Sequence, residues 1–119
     1  DGIVHIFNIM LALVNAKNGT LLLDEMENGL HVRTLEQLWT IVNDLSKDLD
    51  VQVFVTTHSN DCIRAFKENA REAGRLFRIN YQNGETMYKS HGFRTIEASL
   101  SANIDLRDYT NDEVSSDED

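Results

Sequence analysis

Two short apolar runs, each breaking off into polar residues and separated by a long helical pattern, constrain this chain more than any other feature. The first is Thr20-Leu21-Leu22-Leu23, followed at once by Asp24-Glu25. The second is Val51 to Val55, β-branched and followed by Thr56-Thr57-His58. Continuous rather than alternating apolarity predicts strands covered on both faces, as in a parallel sheet. Between them, Leu35, Leu38, Trp39, Val42 and Leu45 form one stripe of a helix predicted over Leu30 to Leu49. Strand, helix, strand is the crossover that parallel pairing requires.

The flanking segments extend this order. Ile3, Ile6, Phe7, Met10, Leu11 and Val14 recur at three- and four-residue steps, which predicts an amphipathic helix ending near Lys17-Asn18-Gly19. After the second strand, Ser59 or Asn60 can cap a helix running to about Glu72, with Gly74 ending it. Leu76 to Tyr81 and Glu85 to Ser90 flank Gln82-Asn83-Gly84, a hairpin signal. A short helix around Thr95 to Ala102 follows. The class is therefore α/β, with parallel strands flanked by helices and a C-terminal β-hairpin.

Charge divides the chain. The 119 residues carry 11 basic and 20 acidic side chains, a formal net charge of −9. Six of the acids, and no base, fall within Asp108 to Asp119. We read residues 1–107 as the folded part and 108–119 as an acidic, disordered tail. The body is nearly balanced and does not favour a nucleic-acid surface, although a contact through the basic run Arg64, Lys67, Arg71, Arg75 and Arg78 stays open beside its reading as a solvated face. Cys62 is the only cysteine, so no internal disulfide forms, which fits a reducing cytoplasm. Ile3 to Val14, broken by His5 and Asn8, is shorter than the about 20 apolar residues a membrane span needs.

In an open parallel sheet, ligands sit beyond the carboxyl ends of the strands. Asp24-Glu25 and Thr57-His58 both belong at that edge. An apolar strand ending in two acids is a Walker B pattern: one carboxylate holds Mg2+, commonly through water, and the next orients and deprotonates an attacking water. A histidine between strand and helix can donate to a terminal phosphate, with the amides of the helix N-terminus favouring an anion nearby. Taken singly, each also reads as an ordinary strand end or turn residue; the two together are more specific.

Thr20-Leu-Leu-Leu-Asp-Glu-Met-Glu-Asn-Gly-Leu-His31 and Val51-Gln-Val-Phe-Val-Thr-Thr-His-Ser59 resemble the ABC-type P-loop ATPases grouped with the AAA family, a branch that includes relatives of the Overcoming Lysogenization Defect proteins and bacterial anti-phage ATPases. The resemblance covers roughly Asp1 to Arg107. It implies that Asp24 is the Walker B magnesium residue, Glu25 the catalytic base and His58 the switch histidine that senses the γ-phosphate. It makes Glu27-Asn28-Gly29-Leu30-His31 a D-loop, communicating across an ATP-bound homodimer, and Asp1-Gly2 the end of a signature-type motif. ATP and Mg2+ are the implied ligands, and an effector protein the implied partner.

The sequence departs from that pattern in two places. Val32 stands where many relatives have proline, which affects the helix start. No G-x-x-x-x-G-K-[S/T] occurs, so these residues contain no amide cradle or lysine for phosphates. The expectation is a C-terminal portion of the ATPase that alone does not turn over ATP appreciably. Two other readings stay open: an interaction module without catalysis, and a metal-dependent nuclease built on Asp24, Glu25, Glu27 and His31. Trp39 is expected in the core, and Cys62 as a small buried hydrophobe near a helix start.

Overall fold

The computed structural model describes residues 2–70 and 74–91 of the chain. The predicted helix at Thr95 to Ala102, the acidic tail, Asp1 and the segment around Glu72 lie outside the described residues. The chain divides into two compact units, Asp1–Ala70 and Arg71–Asp119.

In the first unit, α1 (Gly2–Asn15) leads to β1 (Thr20–Leu23), α2 (Val32–Asp48), β2 (Gln52–Val55) and α3 (Asn60–Ala70). β1 and β2 pair in parallel, with Thr20 opposite Gln52 and Leu23 opposite Val55. Two further backbone bonds bracket the ladder: Gln52 N–H to Gly19 O (3.0 Å) and Thr56 N–H to Leu23 O (2.9 Å).

The helix α2 is delimited by local chemistry. His31 has an extended backbone and its Nδ1 accepts from Arg33 N–H (3.3 Å), making it the N-cap. Helical geometry starts at Val32, where a proline would also be tolerated; Leu30 and His31, expected in the helix, precede it. At the other end Asp50 enters the left-handed region (φ 54°), and the Val51 and Asp50 amides return to Ser46 O (2.8 Å) and Lys47 O (3.3 Å). This is the Schellman arrangement, closed without a glycine. Leu35, Leu38, Trp39 and Val42 are buried as the stripe predicts. The indole of Trp39 donates to Cys62 O (3.1 Å), and its ring lies 5.1 Å from that of Phe66. Ser59 caps α3, its hydroxyl accepting from Cys62 N–H (3.2 Å).

Two expectations are corrected. The α1 stripe read from the sequence is largely the exposed one: Ile3 is 77% and Phe7 62% exposed, with Met10, Leu11 and Val14 also open. Ile9 and Leu13, supported by Ile6 and Ala16, enter the core instead. A helix apolar all round offers two stripes, and periodicity alone does not choose between them. Among the described residues the strands are likewise covered on one face only. Leu21, Leu23, Val53 and Val55 pack against the helical core, whereas Leu22 (74%) and Phe54 (51%) are exposed. A continuous apolar run records a tendency for burial on both sides, and the described residues cover one.

The second unit contains an antiparallel hairpin, β3 (Leu76–Gln82) and β4 (Glu85–His91). Asn83 (φ 53°) and Gly84 (φ 82°) form its two-residue turn, with both positive φ values a type I′ turn requires. The basic run does not form one helix face: Arg64 and Lys67 lie on α3, Arg75 precedes β3, Arg78 is within it, and Arg71 is outside the described residues.

No described helix is long and apolar enough to cross a membrane.

Candidate functional site

The parallel register puts the residues after β1 beside those after β2. Since Leu23 is opposite Val55, the next residues across the edge are Asp24 and Thr56. The Thr56 hydroxyl donates to Asp24 Oδ1 and accepts from the Glu25 amide (3.0 Å). Thr56 thus touches both acidic residues at once. Asp24 and Glu25 are exposed residues. Glu25 also adopts the left-handed region, φ 49°, which turns the chain sharply out of the strand.

A second bond joins the two strand-end segments. Glu27 Oε1 accepts from His58 N–H (3.2 Å), while Glu27 Oε2 is buried without a hydrogen-bond partner. His58 is exposed, in the link between β2 and α3. Thr57 Oγ1 accepts from the Ser59 amide (3.1 Å), so this link runs directly into the capped start of α3.

The remaining predicted residues frame the site. Asn28 and Gly29 are exposed in the turn after Glu27, with Asn28 N–H bonded to Glu25 O (3.0 Å) and Gly29 at φ 75°. His31 is engaged as the N-cap of α2. Gly2 opens α1 in close approach to this loop: a methyl group there would come within 3.3 Å of Leu30 Cδ2. Asp1 lies outside the described residues. Asp24, Glu25 and His58 are therefore brought to one edge, and Asn28, Gly29 and His31 follow as a turn leading into α2.

Two contributors, Thr56 and His5, are given no role by motif reading, and Glu27 makes a contact that its place in the expected D-loop does not indicate. Thr56 is identifiable only once the strand register is known. Glu27 acts here as an acceptor for the His58 backbone. His5, which merely interrupts an apolar run in the sequence, donates from Nε2 to Met26 O (2.8 Å) and ties α1 to the acidic turn. Met26 itself is buried at 1% exposure and anchors that turn in the core.

Cys62 is fully buried, and burial pushes its thiol pKa above the ordinary 9.0, with the Glu27 charge adding to the rise and hydrogen bonding to Thr57 opposing it. It is a core residue and not an activated nucleophile.

The chemistry at the edge suits a hard cation. Asp24 offers a carboxylate at a solvent-accessible strand tip, adjacent to a second carboxylate and a hydroxyl. Among the described residues no three His, Cys, Asp or Glu side chains converge on a metal-sized site. Mg2+ commonly needs only one or two carboxylates, completing its octahedron with water and phosphate oxygens, so this donor set fits it.

Comparison with known proteins agrees with the fold. Residues 1–63 match a family described as "AAA domain, putative AbiEii toxin, Type IV TA system". An uncharacterized protein of Methanocaldococcus jannaschii is 34% identical over 105 residues, covering 83% of this chain and 92% of that protein. An ATP/GTP phosphatase of Helicobacter pylori is 35% identical over 75 residues, covering 60% of this chain but 20% of the phosphatase. A solved chain from work on the structural biochemistry of ATP-driven dimerization and DNA-stimulated activation of SMC ATPases superposes with a TM-score of 0.54 at 14% identity, covering 71% of this chain and 47% of its own length. The chain thus spans nearly all of one relative, a fifth of another and about half of the solved ATPase chain, with which it shares its fold.

Proposed function

This chain belongs to that AAA-domain family, with the fold of part of an ABC-type P-loop ATPase, and from this we propose that it supplies the hydrolytic half of an ATP site. The observation that carries the reading is the meeting of Asp24, Glu25 and the Thr56–His58 segment at one parallel-sheet edge through cross-strand hydrogen bonds.

Asp24 is the Walker B carboxylate that holds Mg2+. When bound, that cation neutralises charge on the phosphates during transfer. Glu25, exposed and turned out by its left-handed backbone, orients the attacking water and accepts its proton. His58 donates to the terminal phosphoryl oxygens from the neighbouring segment. Gly2, with Asp1 before it, and Asn28, Gly29 and His31 are the nucleotide-proximal and dimer-communicating positions. The approach of Gly2 to Leu30 supports their belonging to one surface.

These 119 residues contain no G-x-x-x-x-G-K-[S/T], and the reading assigns the grip on the phosphates to a loop outside them. ATP-driven dimerization in the SMC ATPase supports a homodimer with nucleotide between its protomers, and an effector protein as the driven partner belongs to the same proposal. A role in anti-phage defence or at DNA, in the cytoplasm, belongs to the same proposal.

In the protein complete with its phosphate-binding loop, Glu25→Gln is expected to preserve ATP binding and reduce phosphate release by about 10²–10⁴-fold, the usual contribution of a positioned base. Normal turnover in that variant removes Glu25 from the role. Robust, Glu25-dependent turnover by the 119 residues alone would overturn the need for an outside loop.

A further inference from the structure

We infer that Thr56 is a positioning residue for the acidic strand tip, joined by Glu27 in a two-point clasp that sets Asp24, Glu25 and His58 relative to one another. The consequence for hydrolysis rests on the ATPase reading above; the clasp itself rests on the hydrogen bonds.

Asp24 and Glu25 are exposed, so packing does not fix their side chains. Glu25 also holds a left-handed backbone, which an L-residue adopts only when something nearby specifies it. Thr56 addresses both needs. Its hydroxyl donates to Asp24 Oδ1 while accepting the Glu25 amide at 3.0 Å. A hydroxyl suits this because it donates and accepts together, and the β-branch of threonine narrows χ1. Thr56 is itself held, since its amide continues the parallel ladder to Leu23 O at 2.9 Å.

Engaging Oδ1 aims the carboxylate and leaves Oδ2 for a cation or its hydration shell. Partners of this kind, one step removed from a metal, orient the ligating oxygen and tune its affinity. The second point of the clasp is Glu27 Oε1, which accepts from His58 N–H at 3.2 Å. It fixes the backbone that carries the histidine. The two bonds run in opposite senses: a β2-side residue reaches the β1 tip, and a β1-side residue reaches the β2 loop. A displacement of either segment is therefore felt by both.

These bonds lie in solvent, where a hydrogen bond adds little net stability. The clasp should act on geometry more than on folding.

The test compares Thr56→Val, which removes the hydroxyl at nearly constant shape, with Thr56→Ser, which keeps it. Amide hydrogen exchange of the chain is followed by NMR at Glu25 and His58, and Mn2+ alone is titrated as a paramagnetic probe of the Asp24 site. Thr56→Val is expected to speed exchange at Glu25 by at least about 10-fold and weaken Mn2+ binding by about 10–100-fold. Thr56→Ser should stay within about 3-fold of the parent in both, with thermal unfolding of all three nearly coincident. Glu27→Gln, which keeps an acceptor, should leave His58 exchange little changed, whereas Glu27→Ala should accelerate it. Unchanged Glu25 exchange in Thr56→Val overturns the clasp. If Mn2+ broadens Asp24 in the parent but binds Thr56→Val equally well, the positioning role falls and the ATPase reading stands. If the parent shows no Asp24-dependent Mn2+ binding, the magnesium role of Asp24 falls, and the exchange data still decide the clasp.

Discussion

The left-handed backbone at Glu25 makes an opposition between stability and activity measurable. For an L-residue, φ near +50° costs about 1–2 kcal/mol relative to the right-handed region. Glycine lacks that penalty but gains freedom in the unfolded chain, a loss of about 0.4–1 kcal/mol in stability. Glu25→Gly at φ 49° should therefore stabilise the first unit by about 0.5–1 kcal/mol. Little offsets this gain, because Glu25 is exposed and its one cross-strand bond uses the backbone amide, which glycine retains. Asp50→Gly, at φ 54° in the Schellman stop of α2, is the comparison: similar strain, away from the acidic edge. The assay is urea unfolding followed by the fluorescence of Trp39, the only tryptophan and a core residue of the first unit. With m near about 1 kcal/mol/M for a small unit, both midpoints should rise by about 0.5–1 M. Phosphate release by the complete protein should be lost in Glu25→Gly and kept in Asp50→Gly. Destabilisation of Glu25→Gly by more than about 1 kcal/mol, alongside a gain for Asp50→Gly, would refute the strain argument and imply that the Glu25 side chain supports the fold.

Two further outcomes follow from buried titratable groups. His91, 2% exposed, has its pKa held below the ordinary 6.5, first by burial and then by the Lys89 and Arg78 charges. The unfolded chain then takes up a proton more readily than the folded one, so the stability of the second unit should fall as pH drops below about 6.5; His91→Asn should flatten that slope in urea unfolding monitored by hairpin amide signals. Cys62 has the opposite sense: its raised pKa favours the neutral thiol in the folded state, so its contribution is complete below the ordinary 9.0 and declines as pH rises beyond it, and iodoacetamide at pH 8 should label Cys62 only at the rate of unfolding.

What was legible in the sequence followed from residues with one dominant use. Leu35, Leu38, Trp39 and Val42 form a single stripe on an otherwise polar helix, so the pattern had one solution. Asn83-Gly84 suits a type I′ turn, and Ser59 sits where a cap is needed. The α1 segment failed the same method because it is apolar on most sides, and which stripe is buried depends on what it packs against. The open strand faces at Leu22 and Phe54 have the same cause: a run of apolar residues records the chain's tendency to be covered, and the covering partner is not written in the run.

The site divides along the same line. Asp24, Glu25 and His58 stand out in the sequence because polar groups end two apolar runs at once, although each taken singly also fits an ordinary strand end or turn. Thr56 does not, since a threonine ending a strand is ordinary. Its importance appears only with the register that sets Asp24 beside it, a long-range fact invisible to a motif. His5 is similar: a polar break in an apolar helix acquires its meaning from Met26 O, 21 residues away in the chain. The candidate reactive groups are thus picked out in the sequence by residue type and position, whereas the side chains hydrogen-bonded to their segments appear only from pairing. If that division is right, substitutions at Thr56, Glu27 and His5 should alter geometry at the acidic edge without removing any group that reacts, and their effects on exchange and cation affinity should be partial where those of Asp24 are complete.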